Sequence, residues 1–158
     1  MSKTLEKAVK AMHLDALALL QAEKACRDLI VSAAEAVDQQ NYLALVDLFT
    51  DDANLVRPGG IALNGRAQIL AAYQSKDANR LTQHLICQQH IQVSPLGQAK
   101  ARSKVLLYAA DRQHELTPKG RLADAMHQVG VIEDQLVLTA DGWKIQNRQA
   151  WFELFVPD

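Results

Sequence analysis

The chain has 158 residues, of which 49% are hydrophobic and 22% charged, the size and composition of one folded domain and not of a disordered segment. Seventeen basic residues stand against eighteen acidic ones for a net charge of −1, so there is no global field to hold a nucleic-acid backbone. No window of about 18 apolar residues could span a bilayer, and two cysteines, Cys26 and Cys87, make no disulfide framework.

Lys3, Glu6, Lys7 and Lys10 charge the first residues and interrupt any signal-peptide stretch, so a cytoplasmic location is expected. Neither Gly nor Pro occurs before Pro58, and the segment is rich in helix formers. Leu5, Val9, Met12, Ala16 and Leu19 form one apolar stripe; Cys26, Leu29, Ile30, Ala33 and Val37 form another. Residues 1–21 read as a helical extension ahead of a domain over 22–158, with the first stripe either a separate helix or a continuation of the second. Gln39-Gln40-Asn41 predicts a break, and Asn41 an N-cap for a short helix over 42–49. A hairpin follows, with strand 55–57, a Pro58-Gly59-Gly60 turn and a return arm at 61–63. Asn64-Gly65 opens a helix that turns Ile69, Leu70 and Tyr73 inward. Strands are predicted over 81–93, 99–110, 121–138 and 143–155, separated by turn signals at Pro95-Leu96-Gly97, Thr117-Pro118-Lys119-Gly120 and Ala140-Asp141-Gly142. Helices first and strands later predict an α+β fold with a mostly antiparallel sheet.

The familiar chemical motifs are absent: no phosphate-cradling glycine loop, no Cys-x-x-Cys, no His-Glu-x-x-His and no Gly-x-Ser-x-Gly. His84 and His90 fall on one face of a strand but too far apart to share a metal ion. Neither metal nor cofactor is expected. Asp38 stands out because it ends a long helix, where the macrodipole disfavours an anion by about 0.3–1 kcal/mol, and its wheel neighbours are Val31 and Ala34. That setting suits a proton acceptor. Read alone, Asp38 is a solvated residue that opens the turn, and His84 a satisfied strand histidine.

Glu35-Ala36-Val37-Asp38-Gln39-Gln40-Asn41-Tyr42, with Leu48-Phe49-Thr50-Asp51-Asp52-Ala53 after it, resembles the opening of the SnoaL-like, nuclear-transport-factor-2-like superfamily. Leu63-Asn64-Gly65-Arg66-Ala67-Gln68-Ile69, Thr82-Gln83-His84, and Asp141-Gly142-Trp143-Lys144-Ile145 with Arg148 follow in the order of that superfamily's landmarks. The resemblance implies a cystatin-like cone, a strongly curved, mostly antiparallel sheet wrapped around helices with one deep apolar pocket. Within the superfamily the pattern is similar to the scytalone-dehydratase-like members, whose catalytic Asp and His fall on Asp38 and His84.

The resemblance thus implies acid/base catalysis of dehydratase, isomerase or cyclase type on an apolar, cyclic substrate. His84 would move the proton and Asp38 would orient it, with no cofactor. Where those members carry two tyrosines, a second His and an Asn, this chain has Val37, Arg57, Ala109 and Glu133. Arg57, Glu133, Arg148 and Phe152 are the implied substrate-binding positions. An Arg148 guanidinium in an apolar setting needs an anion, supplied either by Glu133 or by an acidic or enolisable oxygen of the ligand. The rival expectations are a non-catalytic module for a hydrophobic ligand and a structural subunit resembling the small subunit of ring-hydroxylating dioxygenases. A homo-oligomer, most simply a dimer, is expected from Val, Leu and Ala side chains on the sheet face away from the pocket.

Overall fold

The computed structural model describes the backbone of residues 3–157 and the side chains of residues 16–157. Its elements run α1 (Lys3–Asp38), α2 (Tyr42–Asp47), β1 (Phe49–Val56), β2 (Ala62–Asn64), α3 (Gly65–Gln74), β3 (Arg80–Ser94), β4 (Gln98–Asp111), β5 (Leu116–Thr117), β6 (Gly120–Arg121), β7 (His127–Thr139) and β8 (Gly142–Val156). Six strands form one sheet in the order β2-β1-β8-β7-β4-β3, and β5 pairs with β6 separately. The large sheet is antiparallel except where β1 lies parallel to β8.

α1 is one uninterrupted helix, so the two apolar stripes belong to a single element with no break at residues 21–22. The second stripe is the working one. Cys26, Leu29, Ile30 and Ala33 are buried against Leu45, Phe49, Leu55, Ile69, Leu136 and Ile145 in the main core. Leu5, Val9 and Met12 lie outside the described side chains, and Ala16 and Leu19 are exposed. No described helix is long and apolar enough to cross a membrane.

Three local expectations are corrected. β1 starts at Phe49, well before Leu55, because its first residues run beside β8, where the Ile145 N–H donates to the Leu48 carbonyl at 2.9 Å. The predicted strand over 121–138 is instead β6 and β7. Between them the chain is held by one bridge, Ala110 to Ala123, and by an Arg80–Asp124 ion pair at 2.5 Å, not by a ladder. In β3 the register shifts between Ile86 and Gln88. A one-residue shift reverses the side-chain alternation, so His84 and His90 face opposite sides of the sheet.

The outer sheet face also departs from expectation. Beside an exposed Leu85 it carries Lys100, Arg102, Lys104 and Glu133, with ion pairs from Arg102 to Glu133 and Glu153. A run of exposed apolar side chains, Leu154, Phe155 and Val156, ends β8.

Candidate functional site

Asp38 is placed by the way α1 stops. The Asn41 N–H donates to the Ala36 carbonyl at 2.9 Å and the Gln40 N–H to the Val37 carbonyl at 3.0 Å, the paired bonds of a Schellman ending. That ending puts Gln40 in the left-handed region at φ 57°, a conformation that costs a residue with a Cβ about 1–2 kcal/mol. The Gln40 side chain offsets it. Its Nε2 donates to the carbonyls of Ala78 and Arg80, each at 3.1 Å, and its Oε1 accepts from Arg112 at 3.2 Å. The last turn of α1 is thereby fixed to the start of β3, with Asp38 against Thr82 and His84.

Three donors meet the Asp38 carboxylate. The His84 backbone N–H donates to Oδ2 at 2.7 Å, the Thr82 hydroxyl to Oδ1 at 2.9 Å and the His84 Nδ1–H to Oδ1 at 2.5 Å. The carboxylate is 8% exposed and the imidazole 22%. With Nδ1 committed to Asp38, Nε2 is the ring nitrogen that keeps its lone pair. The two residues expected to act as a pair are in direct contact.

His84 lines a cavity of about 320 Å³ between α1, α3 and the inner face of the sheet. Ala33, Val37, Leu55, Val105, Ile132 and Phe152 supply apolar wall; Tyr73, Thr82 and Arg57 supply polar groups. Phe152 and Arg57 are therefore at cavity positions as expected, although Arg57 lies just past the end of β1 and not within it. Its guanidinium stands 5.2 Å from the centre of the Tyr73 ring. Burial pushes the Tyr73 phenol above its ordinary range, which keeps its proton in place.

Arg148 also reaches the cavity wall, but its anion is Asp134. Nε donates to Oδ1 at 2.7 Å and Nη2 to Oδ2 at 2.9 Å, both groups buried. Burial works against the guanidinium charge and Asp134 restores it. Glu133 is the correction. Adjacent strand residues face opposite ways, so with Asp134 inside, Glu133 points outward. There it is paired with Arg102, beside a shallower groove of about 530 Å³ that it shares with His90 and Arg102.

Two cavity residues escape the sequence reading. Thr82 bonds to Asp38, and its signals are its place in the Thr82-Gln83-His84 landmark and the two-residue spacing to His84. Lys76 lies beyond the C-cap of α3 at Ser75, in a stretch that reads as loop. Its amine nevertheless stands 4.5 Å from the Tyr73 ring centre, and burial and Arg57 both lower its pKa.

Solved structures with this architecture include an NTF2-like protein with a cystatin-like fold from Novosphingobium aromaticivorans, 19% identical, with 89% of this chain and 87% of that one aligned at a TM-score of 0.71. A candidate scytalone dehydratase from the same organism is 18% identical over 87% of each chain at a TM-score of 0.73. A type 2 hexachlorocyclohexane dehydrochlorinase, LinA, is 18% identical over 92% of this chain and 93% of that one at 0.72. These likenesses establish the cystatin-like, NTF2-like α+β fold. No curated protein sequence matches the chain. The profile of the SnoaL-like domain matches residues 18–149, and the chain belongs to the SnoaL-like domain family.

Proposed function

We propose that this protein is a cofactor-independent acid/base enzyme that moves a proton on a small apolar, cyclic substrate, in a dehydration, isomerisation or cyclisation. The observation that carries the reading is the 2.5 Å contact between His84 Nδ1 and Asp38 at the cavity wall. In this reading Nε2 of His84 takes a proton from carbon, and Asp38 holds the imidazole in the required tautomer and stabilises its cationic form. The imidazolium then returns the proton to a leaving group or to another carbon. The Tyr73 phenol, kept protonated, donates to the oxygen that gains charge. The names of two structural relatives support the class, since a dehydratase removes water and a dehydrochlorinase removes hydrogen chloride, and each elimination takes a proton from its substrate.

Exchange of α-protons for deuterium in a cyclic ketone, 2-tetralone, reads the proton-transfer step whatever the full reaction is. The wild type is expected to accelerate exchange over buffer, and His84→Ala to remove that acceleration. Equal exchange by wild type and His84→Ala contradicts the reading.

A further inference from the structure

Arg57 and Lys76 stand over the same aromatic ring, their charged groups 5.2 Å and 4.5 Å from the Tyr73 centroid. Both line the cavity that His84 lines. Among the described residues neither has a carboxylate in ion-pair contact, whereas Arg66, Arg80, Arg102 and Arg148 each do. The nearby carboxylate, Asp38, has its oxygens taken by Thr82 and His84. The other cavity arginine, Arg148, has its charge balanced by Asp134 through two bonds. Two like charges therefore share one cavity wall across a ring quadrupole, with Lys76 exposed at its rim, and the one carboxylate that attracts Lys76, Asp38, is already bonded to Thr82 and His84, an arrangement that an incoming anion stabilises.

We infer that Arg57 and Lys76 form an anion subsite, so that the ligand of this cavity is an apolar body bearing a carboxylate or another ionised oxygen group. This rests on the acid/base reading only for the placement of the reacting carbon near His84. Lys76 also borders a second depression of about 280 Å³, lined with Val37, Thr82 and Arg80 among others, which shares Val37, Thr82 and Lys76 with the cavity. The subsite thus lies where the cavity meets the surface. A carboxylate bound there stays at the mouth while its hydrocarbon part lies against Val105, Ile132 and Phe152. The pKa of Lys76 is lowered, first by loss of water around its amine and second by Arg57, with Asp38 pulling the other way. An incoming anion offsets the lowering.

Calorimetry with a charged and a neutral ligand of one shape, 2-naphthoate and 2-naphthamide, tests the subsite. The wild type is expected to bind the carboxylate more tightly by about tenfold or more, the usual worth of a charged hydrogen bond. Arg57→Met and Lys76→Met should each weaken the carboxylate by a similar factor and leave the amide unchanged, and Lys76→Arg should retain the preference. Equal affinity for the two ligands, no binding of 2-naphthoate, or a preference that survives in the Arg57→Met/Lys76→Met double variant overturns the subsite. His84→Ala keeps the two ideas apart, because it should lose ketone exchange and keep the carboxylate preference. Exchange that persists in His84→Ala counts against the acid/base reading and leaves the subsite standing.

Discussion

Two carboxylates, Asp134 and Asp38, are each held by a nitrogen-bearing side chain of the sheet, and the two pairs are finished differently. Asp134 and Arg148 meet through two parallel bonds with side chains 0% and 9% exposed, which engages both carboxylate oxygens. Asp38 and His84 meet through a single ring nitrogen, with the imidazole 22% exposed. The first pair has no reactive atom left over. The second leaves Nε2 with a lone pair on a cavity lined by apolar side chains. In the proposed reading, two carboxylates on one scaffold give a brace in one place and a proton-transfer pair in the other, and what separates them is one uncommitted nitrogen.

That contrast breaks most visibly at His84. Its replacement by alanine should lower 2-tetralone exchange by about 10²–10⁴-fold, the usual worth of a general base, and move the melting temperature little because the ring is only partly buried. The brace should behave in the opposite way. Asp134→Ala strands a buried guanidinium and is expected to destabilise by about 3–5 kcal/mol, lowering Tm by roughly 10 °C in a chain of this size, measured by calorimetry or circular dichroism. A Tm unchanged in Asp134→Ala would show that the pair does not brace the sheet.

A smaller effect sharpens the picture of the wall between the pairs. A Cβ on Gly130 would sit 3.1 Å from both the Trp151 carbonyl and Val105 Cγ1, and 3.3 Å from Phe152 Cδ1. Gly130→Ala should therefore destabilise by about 1–3 kcal/mol through overpacking, and weaken 2-naphthoate binding as Phe152 is displaced. The smallest expected change separates the filled core from the cavity. Cys26 is pushed up to about 11 from 9.0 by burial and by Glu23, so folding favours the neutral thiol. That contribution is present below pH 9.0 and is lost as the pH rises towards about 11. Near neutral pH a thiol reagent should label the exposed Cys87 and spare the buried Cys26; two labelled thiols in the native protein would contradict this.

Much of this was legible in the residues themselves. Helix α1 ends at Asp38 where Gln39-Gln40-Asn41 announces a break, Asn41 caps α2 through a bond from the Ala44 N–H at 3.2 Å, and the alternation of Val105, Leu107 and Ala109 marks β4. The faces of the long strands were harder, because a bulge carries no composition of its own. The shift after Ile86 sends His90 outward. Glu133 and Asp134 are adjacent acids, and nothing in their types says which one turns inward to Arg148. Lys76 stayed hidden for a different reason: a lysine past a helix end reads as solvated until the fold brings Tyr73 and Arg57 beside it.

The central claim is that Asp38 and His84 act as one unit. The most direct measurement is a double-mutant cycle on ketone exchange with Asp38→Asn, His84→Ala and the two combined. Groups that act together lose their effect together, so the account predicts that each single variant loses most of the acceleration and that the double variant lies within about threefold of the worse single one. Losses that multiply, or an Asp38→Asn enzyme that exchanges at the wild-type rate, would contradict it.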